Sequence, residues 1–125
     1  MVRIVGQVGA GDVGHFYNEQ EGDLGETEAP ENVSDKTVAV QVRGYSMEGI
    51  ADDGSILFYD EEPTQPHSGM IGKLCVVGLT DGRVLFKKLV PGSEPGRWNL
   101  ISVNGGSILN ASVEWAVRIK HITLS

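Results

Sequence analysis

Two segments of the sequence carry residues that could act together as a nucleophile and a base. Ser46 follows a glycine-led turn signal in Gly44-Tyr45-Ser46-Met47, and Lys87 lies among apolar residues in the segment 84–89. A serine hydroxyl is a weak nucleophile at neutral pH and needs an adjacent base. A lysine can be that base only where burial disfavours its charged form and lowers its pKa. The two residues are therefore a candidate Ser-Lys dyad, although neither is diagnostic alone.

Each member of this pair also has a non-catalytic explanation. Ser46 could simply cap a short helix that follows it, and the same geometry would supply backbone N–H groups for an oxyanion. Lys87 and Lys88 are adjacent on a predicted strand, so their side chains point to opposite faces. Both faces have apolar neighbours, and alternation does not decide which lysine is buried. An edge-strand lysine that discourages aggregation would explain either one.

Size and composition predict a single soluble domain of 125 residues with one modest core. The 17 glycines and five prolines favour a turn-rich, mostly β chain. A net charge of −7 argues against direct nucleic-acid binding, which needs clustered Lys and Arg. No apolar run reaches membrane-spanning length, so we expect no membrane association. The one cysteine, Cys75, cannot form an internal disulfide, and a cytoplasmic location is expected.

The pattern along the chain predicts six or seven strands and at most one or two short helical turns, after Ser46. Residues 12–35 carry eight acids and no Lys or Arg, which favours a solvated connector. Asp81-Gly82 is a strong hairpin signal between two of the strands. The predicted strands cover residues 1–8, 37–42, 55–59, 70–79, 83–90, 98–103 and 113–124.

Two further patterns carry no function of their own. The segment Gly9–Gly14 spells a G-x-G-x-x-G dinucleotide fingerprint, but the acidic, glycine-broken residues after it cannot supply the helix that this site needs. The histidines, at positions 15, 67 and 121, show no metal-ligand spacing. We therefore expect no nucleotide cofactor and no metal. A Ser-His-Asp triad has no local support, although such triads can assemble across distance.

Several stretches in order along the chain resemble the C-terminal domain of LexA and of CI-type phage repressors. This self-cleaving, Ser-Lys peptidase-like family also includes UmuD. The departures are Gly54-Ser55, where the family often has Gly-Asp, and Glu48-Gly49, where proline is frequent. Neither removes a catalytic group. The matching stretches are Val5–Gly11, Gly44–Met47, Gly69–Val77, Phe86–Leu89, Leu100–Asn104 and the closing strand to Thr123.

The resemblance implies a fold, a site and a partition of the chain. The fold would be all-β, with strongly bent antiparallel sheets. Ser46 would be the nucleophile, Lys87 the base and Ala10–Gly11 the scissile bond, with an oxyanion held near Tyr45 and Met47. Residues 1–11 would be the cleavage-site segment, 12–35 an acidic connector and 36–125 the catalytic core.

The resemblance also implies a biological role. The chain would be the self-cleavage and dimerisation half of a transcriptional repressor in a DNA-damage (SOS-type) response. A RecA-type filament would stimulate cleavage, and the terminal strand at 113–119 would be a candidate homodimer interface. Only ten residues precede the predicted cut, where family repressors carry a DNA-binding domain. A fragment of a longer repressor and a naturally short relative both stay open.

Three other roles stay open as well. One is a UmuD-like accessory subunit of an error-prone polymerase, which would suit the short N-terminus. A second is a signal-peptidase-type enzyme, which also uses Ser-Lys but needs a membrane anchor that this sequence lacks. The third is a catalytically silent dimerisation or binding module.

Overall fold

The computed structural model describes residues 1–9, 25–31, 33–45, 47–60, 62–104 and 106–125. Within these ranges the regular structure is almost all strand, with one 3-10 turn at Ser68–Met70 and no α-helix, which confirms the all-β prediction. No helix in these ranges is long and apolar enough to cross a membrane. The strands are β1 (Val2–Gly9), β2 (Glu26–Thr27), β3 (Thr37–Arg43), β4 (Ile56–Asp60), β5 (Lys73–Leu79), β6 (Val84–Pro91), β7 (Trp98–Ile101), β8 (Ile108–Ala111), β9 (Val113–Arg118) and β10 (His121–Thr123).

The strands form one mixed sheet. Its main path runs β10-β4-β3-β1-β6-β5-β9, with β2 beside β1, β7 beside β6 and β8 beside β7. β1 runs parallel to β3 and to β6, whereas the other paired strands are antiparallel. The antiparallel arrangement implied by the resemblance thus holds for every described pair except those that β1 makes with β3 and β6. A parallel pair needs a long connection, and residues 10–36 between β1 and β3 provide that length.

β1 is an interior strand of this sheet. Its ladder with β3 runs from the pair Ile4–Ala39 to the pair Gly9–Arg43, with an irregularity after Ile4. Val5 and Val8 are buried in the main core. The segment in which the sequence places the cleavage site therefore begins as a strand integrated into the same sheet as the predicted catalytic core.

β6 separates two clusters of buried side chains. Because successive side chains of a strand alternate between faces, Val84 and Phe86 join the main cluster, whereas Leu85 and Leu89 join the second one. Both faces of β6 are thus covered. The cover is unequal along the strand, because Lys87 lies between Leu85 and Leu89 in the second cluster, whereas Lys88 on the other face is exposed.

The sequence patterns found most strands but misplaced several boundaries. The segment 70–79 begins at the last residue of the 3-10 turn, three residues before β5, and 113–124 divides into β9 and β10. β8 and the two-residue β2 were not predicted. β2 lies inside the predicted acidic connector, whose residues 12–24 fall outside the described ranges. Two apolar side chains of the predicted terminal strand contribute to the core of the monomer, since Trp115 and Ile119 pack against the main cluster.

Candidate active site

The turn after β3 is anchored at both ends by backbone and side-chain contacts. Gly44 adopts φ +105°, a conformation that favours glycine, and its N–H donates to Asp53 Oδ1 at 2.9 Å. Met47 is 1% exposed in the main core, and its carbonyl accepts from Ile50 N at 3.0 Å and from Ala51 N at 2.9 Å. The short helix predicted after Ser46 is thus a hydrogen-bonded turn.

Tyr45 links this turn to a second loop. Its side chain is 66% exposed, whereas its carbonyl accepts from Glu48 N at 3.1 Å and from Asn104 Nδ2 at 3.2 Å. Asn104 belongs to the loop between β7 and β8. The residue directly before Ser46 is therefore connected to a loop 59 positions away in the chain.

Lys87 is completely buried in the middle of β6. Among the described residues it is the only Lys, Arg, Asp or Glu in the buried class, with 0% of its surface exposed. Its Nζ donates to Ser102 Oγ at 2.6 Å. Lys88 is exposed. The structure thus separates the two lysines, which the sequence pattern could not do.

The position of Lys87 follows from its strand neighbours. Cys75 on β5 is its antiparallel partner, and directly opposite residues share a face. On the other side, Lys88 pairs with Ile101 of β7, so Ser102 continues that register opposite Lys87. Leu85 and Leu89 precede and follow Lys87 on the same face. The surroundings of Lys87 therefore include apolar side chains and the Ser102 hydroxyl.

The end of β1 lies where the predicted nucleophile and base segments meet. Gly9, its last residue, pairs with Arg43 at the end of β3 and with Leu85 on β6. Since all three strands run in the same direction, β1 and β3 end at the same part of the sheet, close to the middle of β6. The chain segments that lead to Ala10, to Ser46 and to Lys87 are thus adjacent.

Three of the predicted site residues lie outside the described residues. These are Ser46, the nucleophile, and Ala10 and Gly11, the two sides of the predicted cut. Of the other predicted site residues, Lys87 is buried in β6, and Tyr45 and Met47 flank Ser46 with the contacts given above. The oxyanion role of the backbone at 45–47 stays a prediction.

The described histidines lie in structural positions. The Nδ1 of His67 accepts from Gly69 N at 3.1 Å and caps the 3-10 turn. The His121 ring packs edge-on against Phe58, with ring centroids 5.6 Å apart. In the described ranges no group of three or more His, Cys, Asp or Glu is placed to hold a metal ion. His15 is not among the described residues.

Comparison with known proteins decides the family. The family model described as Peptidase S24-like matches residues 3–114, a stretch that contains both the serine turn and the buried lysine. The chain belongs to this family. It is the family of the LexA, UmuD and CI domain, so the resemblance found in the sequence is confirmed, and membership indicates serine peptidase chemistry. No curated protein matches the chain.

Two residues with direct contacts at this site were not singled out from the sequence. Ser102 contacts Lys87, and Asn104 contacts the carbonyl before Ser46. Both lie in the stretch Leu100–Asn104 that contributed to the family resemblance. The sequence offered only a hydroxyl and an amide at the end of an apolar strand, a combination that is common in loops.

Proposed function

We propose that the chain is a self-cleaving serine peptidase in which Ser46 is the nucleophile, Lys87 is the base and the Ala10–Gly11 bond is cut. The observation that carries this proposal is the burial of Lys87 beside the point where β1 and β3 end. Complete burial disfavours the ammonium form of a lysine, which is the condition for it to accept a proton. The three small residues Gly9, Ala10 and Gly11 would allow the substrate backbone to approach closely.

The reaction follows from these roles. Neutral Lys87 takes the proton of Ser46 Oγ as that oxygen attacks the Ala10 carbonyl carbon. Backbone N–H groups of the serine turn stabilise the negative charge that develops on the carbonyl oxygen. When the tetrahedral intermediate collapses, the C–N bond breaks and the Lys87 ammonium protonates the amine of Gly11. A water molecule, deprotonated by Lys87, then hydrolyses the ester on Ser46 and leaves a carboxylate on Ala10.

Ser102 is the rival nucleophile, because its Oγ contacts Lys87 Nζ directly. Ser46 is preferred because it lies in the turn whose motif and separation from Lys87 match the family. Its flanking residues are also held by the turn and by Asn104. The two assignments differ in which serine becomes acylated.

Covalent labelling separates the two serines. We expect a fluorophosphonate to add one phosphonyl group per chain at alkaline pH, and tandem mass spectrometry to place it on Ser46. Lys87→Met removes the base and should suppress the labelling, whereas Lys88→Met should leave it intact. An adduct on Ser102 would reassign the nucleophile, and equal labelling of the wild-type chain and Lys87→Met would contradict the dyad.

We further propose the biological setting that the family resemblance implies. The chain would act in the cytoplasm as the cleavage and dimerisation half of a repressor whose cleavage a RecA-type filament stimulates in response to DNA damage. The acidic balance, −7 for the chain, supports a division of labour in which this domain does not hold DNA.

Homodimer formation is proposed through the edge strand β10. In the described sheet β10 pairs only with β4, and Leu124, which follows it, is 64% exposed. β9 is a poorer candidate because Thr64 bridges to Ala116. We expect sedimentation equilibrium to show self-association that Leu124→Glu weakens. Leu109→Glu, at a 65% exposed site on β8, is the matched control and should not change it. A monomer at high micromolar concentration would contradict this proposal.

A further inference from the structure

One loop contacts both the buried lysine and the residue before Ser46. Ser102, at its start, accepts a hydrogen bond from Lys87 Nζ at 2.6 Å. Asn104, two residues later, donates to the carbonyl of Tyr45 at 3.2 Å. The two ends of the loop are linked, because Ser102 N donates to Ser107 Oγ at 3.1 Å. The loop that follows β7 therefore ties the buried lysine to the turn that carries Ser46.

We infer that Ser102 is a positioning residue that orients Lys87 Nζ toward the reaction, an inference that rests on the proposed function. A lysine side chain has four rotatable bonds, and the leucines before and after Lys87 on its face cannot hydrogen-bond to its nitrogen. The 2.6 Å contact with Ser102 supplies a direction. A nitrogen held in one place presents its remaining N–H groups or lone pair to a fixed point, which is a requirement for efficient proton transfer.

A hydroxyl suits this role because the lysine must change its protonation state during the reaction. The ammonium form has only donors, and Ser102 Oγ can accept from it. The neutral amine has a lone pair, and the same hydroxyl can either accept from the amine or donate to it. Ser102 therefore remains a partner in both states. An alanine would remove this contact, and it would remove more stabilisation from the charged form than from the neutral one.

Among the residues that the structure describes, few other groups that titrate lie close to Lys87. On β5 its strand partner is Cys75, and burial raises the pKa of that thiol to about 11. Arg118 on β9 pairs with Cys75 on its far side. On β1 the one charged residue, Arg3, is near the opposite end of the strand from Gly9, and β7 carries none. The ¹³Cε measurement given below checks that a change in the pH profile on altering Ser102 comes from Lys87.

The test measures self-cleavage of the full chain against pH for Ser102→Ala, Ser102→Thr and the control Ser112→Ala. We expect Ser102→Ala to lower the plateau rate roughly tenfold, as for one lost hydrogen bond to a charged group. The midpoint of the rise with pH should move down by roughly one unit, because the ammonium form loses its acceptor. Ser102→Thr keeps the hydroxyl and should restore both values, and Ser112→Ala should match the wild-type chain.

Three outcomes would overturn the inference. A Ser102→Ala profile with an unmoved midpoint would indicate a merely structural role, even if the plateau fell with the melting temperature. Complete loss of cleavage with a phosphonyl adduct on Ser102 would make it the nucleophile. The third is a Ser102→Thr chain that melts at the wild-type temperature and still lacks the wild-type pH profile. That result would show that the hydroxyl does not orient Lys87.

A readout that does not need cleavage keeps this inference separate from the proposed function. The ¹³Cε resonance of Lys87 reports its protonation directly and is assigned by its absence in Lys87→Met. We expect its titration midpoint to fall in Ser102→Ala. If the wild-type chain never cleaves but this midpoint falls, the proposed function is wrong, and the hydrogen bond between Ser102 and Lys87 is still supported. If the chain cleaves and the midpoint is unchanged, the positioning role fails alone.

Discussion

Lys87→Met is expected to abolish self-cleavage while leaving the fold as stable as the wild type or more so. Loss of a general base typically costs about a hundredfold or more in rate. The side chain lies between Leu85 and Leu89 in a fully buried position, so methionine fills nearly the same space with an apolar group. Replacing a buried charged group by an apolar one of similar volume is often neutral or stabilising. The variant should therefore lose its activity without losing stability.

The matched control is Lys88→Met, one residue along the same strand but exposed. We expect it to cleave at close to the wild-type rate. Densitometry of the two fragments over time gives the rate, and differential scanning calorimetry gives the melting temperature. If Lys88→Met is the inactive variant, the base has been assigned to the wrong lysine. If Lys87→Met melts far below the wild-type chain, the lysine is a structural element of β6.

The cleavage rate is expected to rise about tenfold per pH unit and then to reach a plateau. The sign follows from the role of Lys87, because only the neutral amine can accept the serine proton, and its fraction grows as pH rises toward the midpoint. Once the lysine is neutral in nearly every molecule, further alkali has no effect. The measurement is the single-turnover rate of cleavage across the neutral and alkaline range, at constant ionic strength.

A bell-shaped profile centred near neutrality would contradict this account. It would implicate an imidazole, since histidine is the side chain that ordinarily titrates there. The described histidines argue against that outcome, because His67 caps a turn and His121 packs on Phe58. His15→Gln tests the third histidine and should leave the profile unchanged.

The sequence predicted the fold class because its signals are local. Alternating apolar residues mark strands such as β3, and the Asp81-Gly82 turn joins β5 to β6 as expected. Gly82 adopts φ +94°, and its N–H donates to the Leu79 carbonyl at 2.9 Å. Each of these features depends on residues within a few positions of one another. The resemblance to a known family rested on the order of several such segments.

Nonlocal pairing explains what the sequence could not predict. Both faces of β6 looked apolar. Lys87 rather than Lys88 is buried because it lies between the buried Leu85 and Leu89, whereas the buried positions of the other face end before Lys88. The place of β1 between β3 and β6 depends on a parallel ladder that no local pattern encodes. The contact between Ser102 and Lys87 depends on the same register.

The most direct test of the dyad is the intact mass of the purified chain before and after incubation at alkaline pH. The account predicts loss of the full-length mass and the appearance of two species whose masses match residues 1–10 and 11–125. Neither species should form in Ser46→Ala. A cut at any other bond, or cleavage that persists in Ser46→Ala, would contradict the proposed chemistry. A wild-type mass that stays unchanged through prolonged incubation would contradict self-cleavage and favour the catalytically silent module.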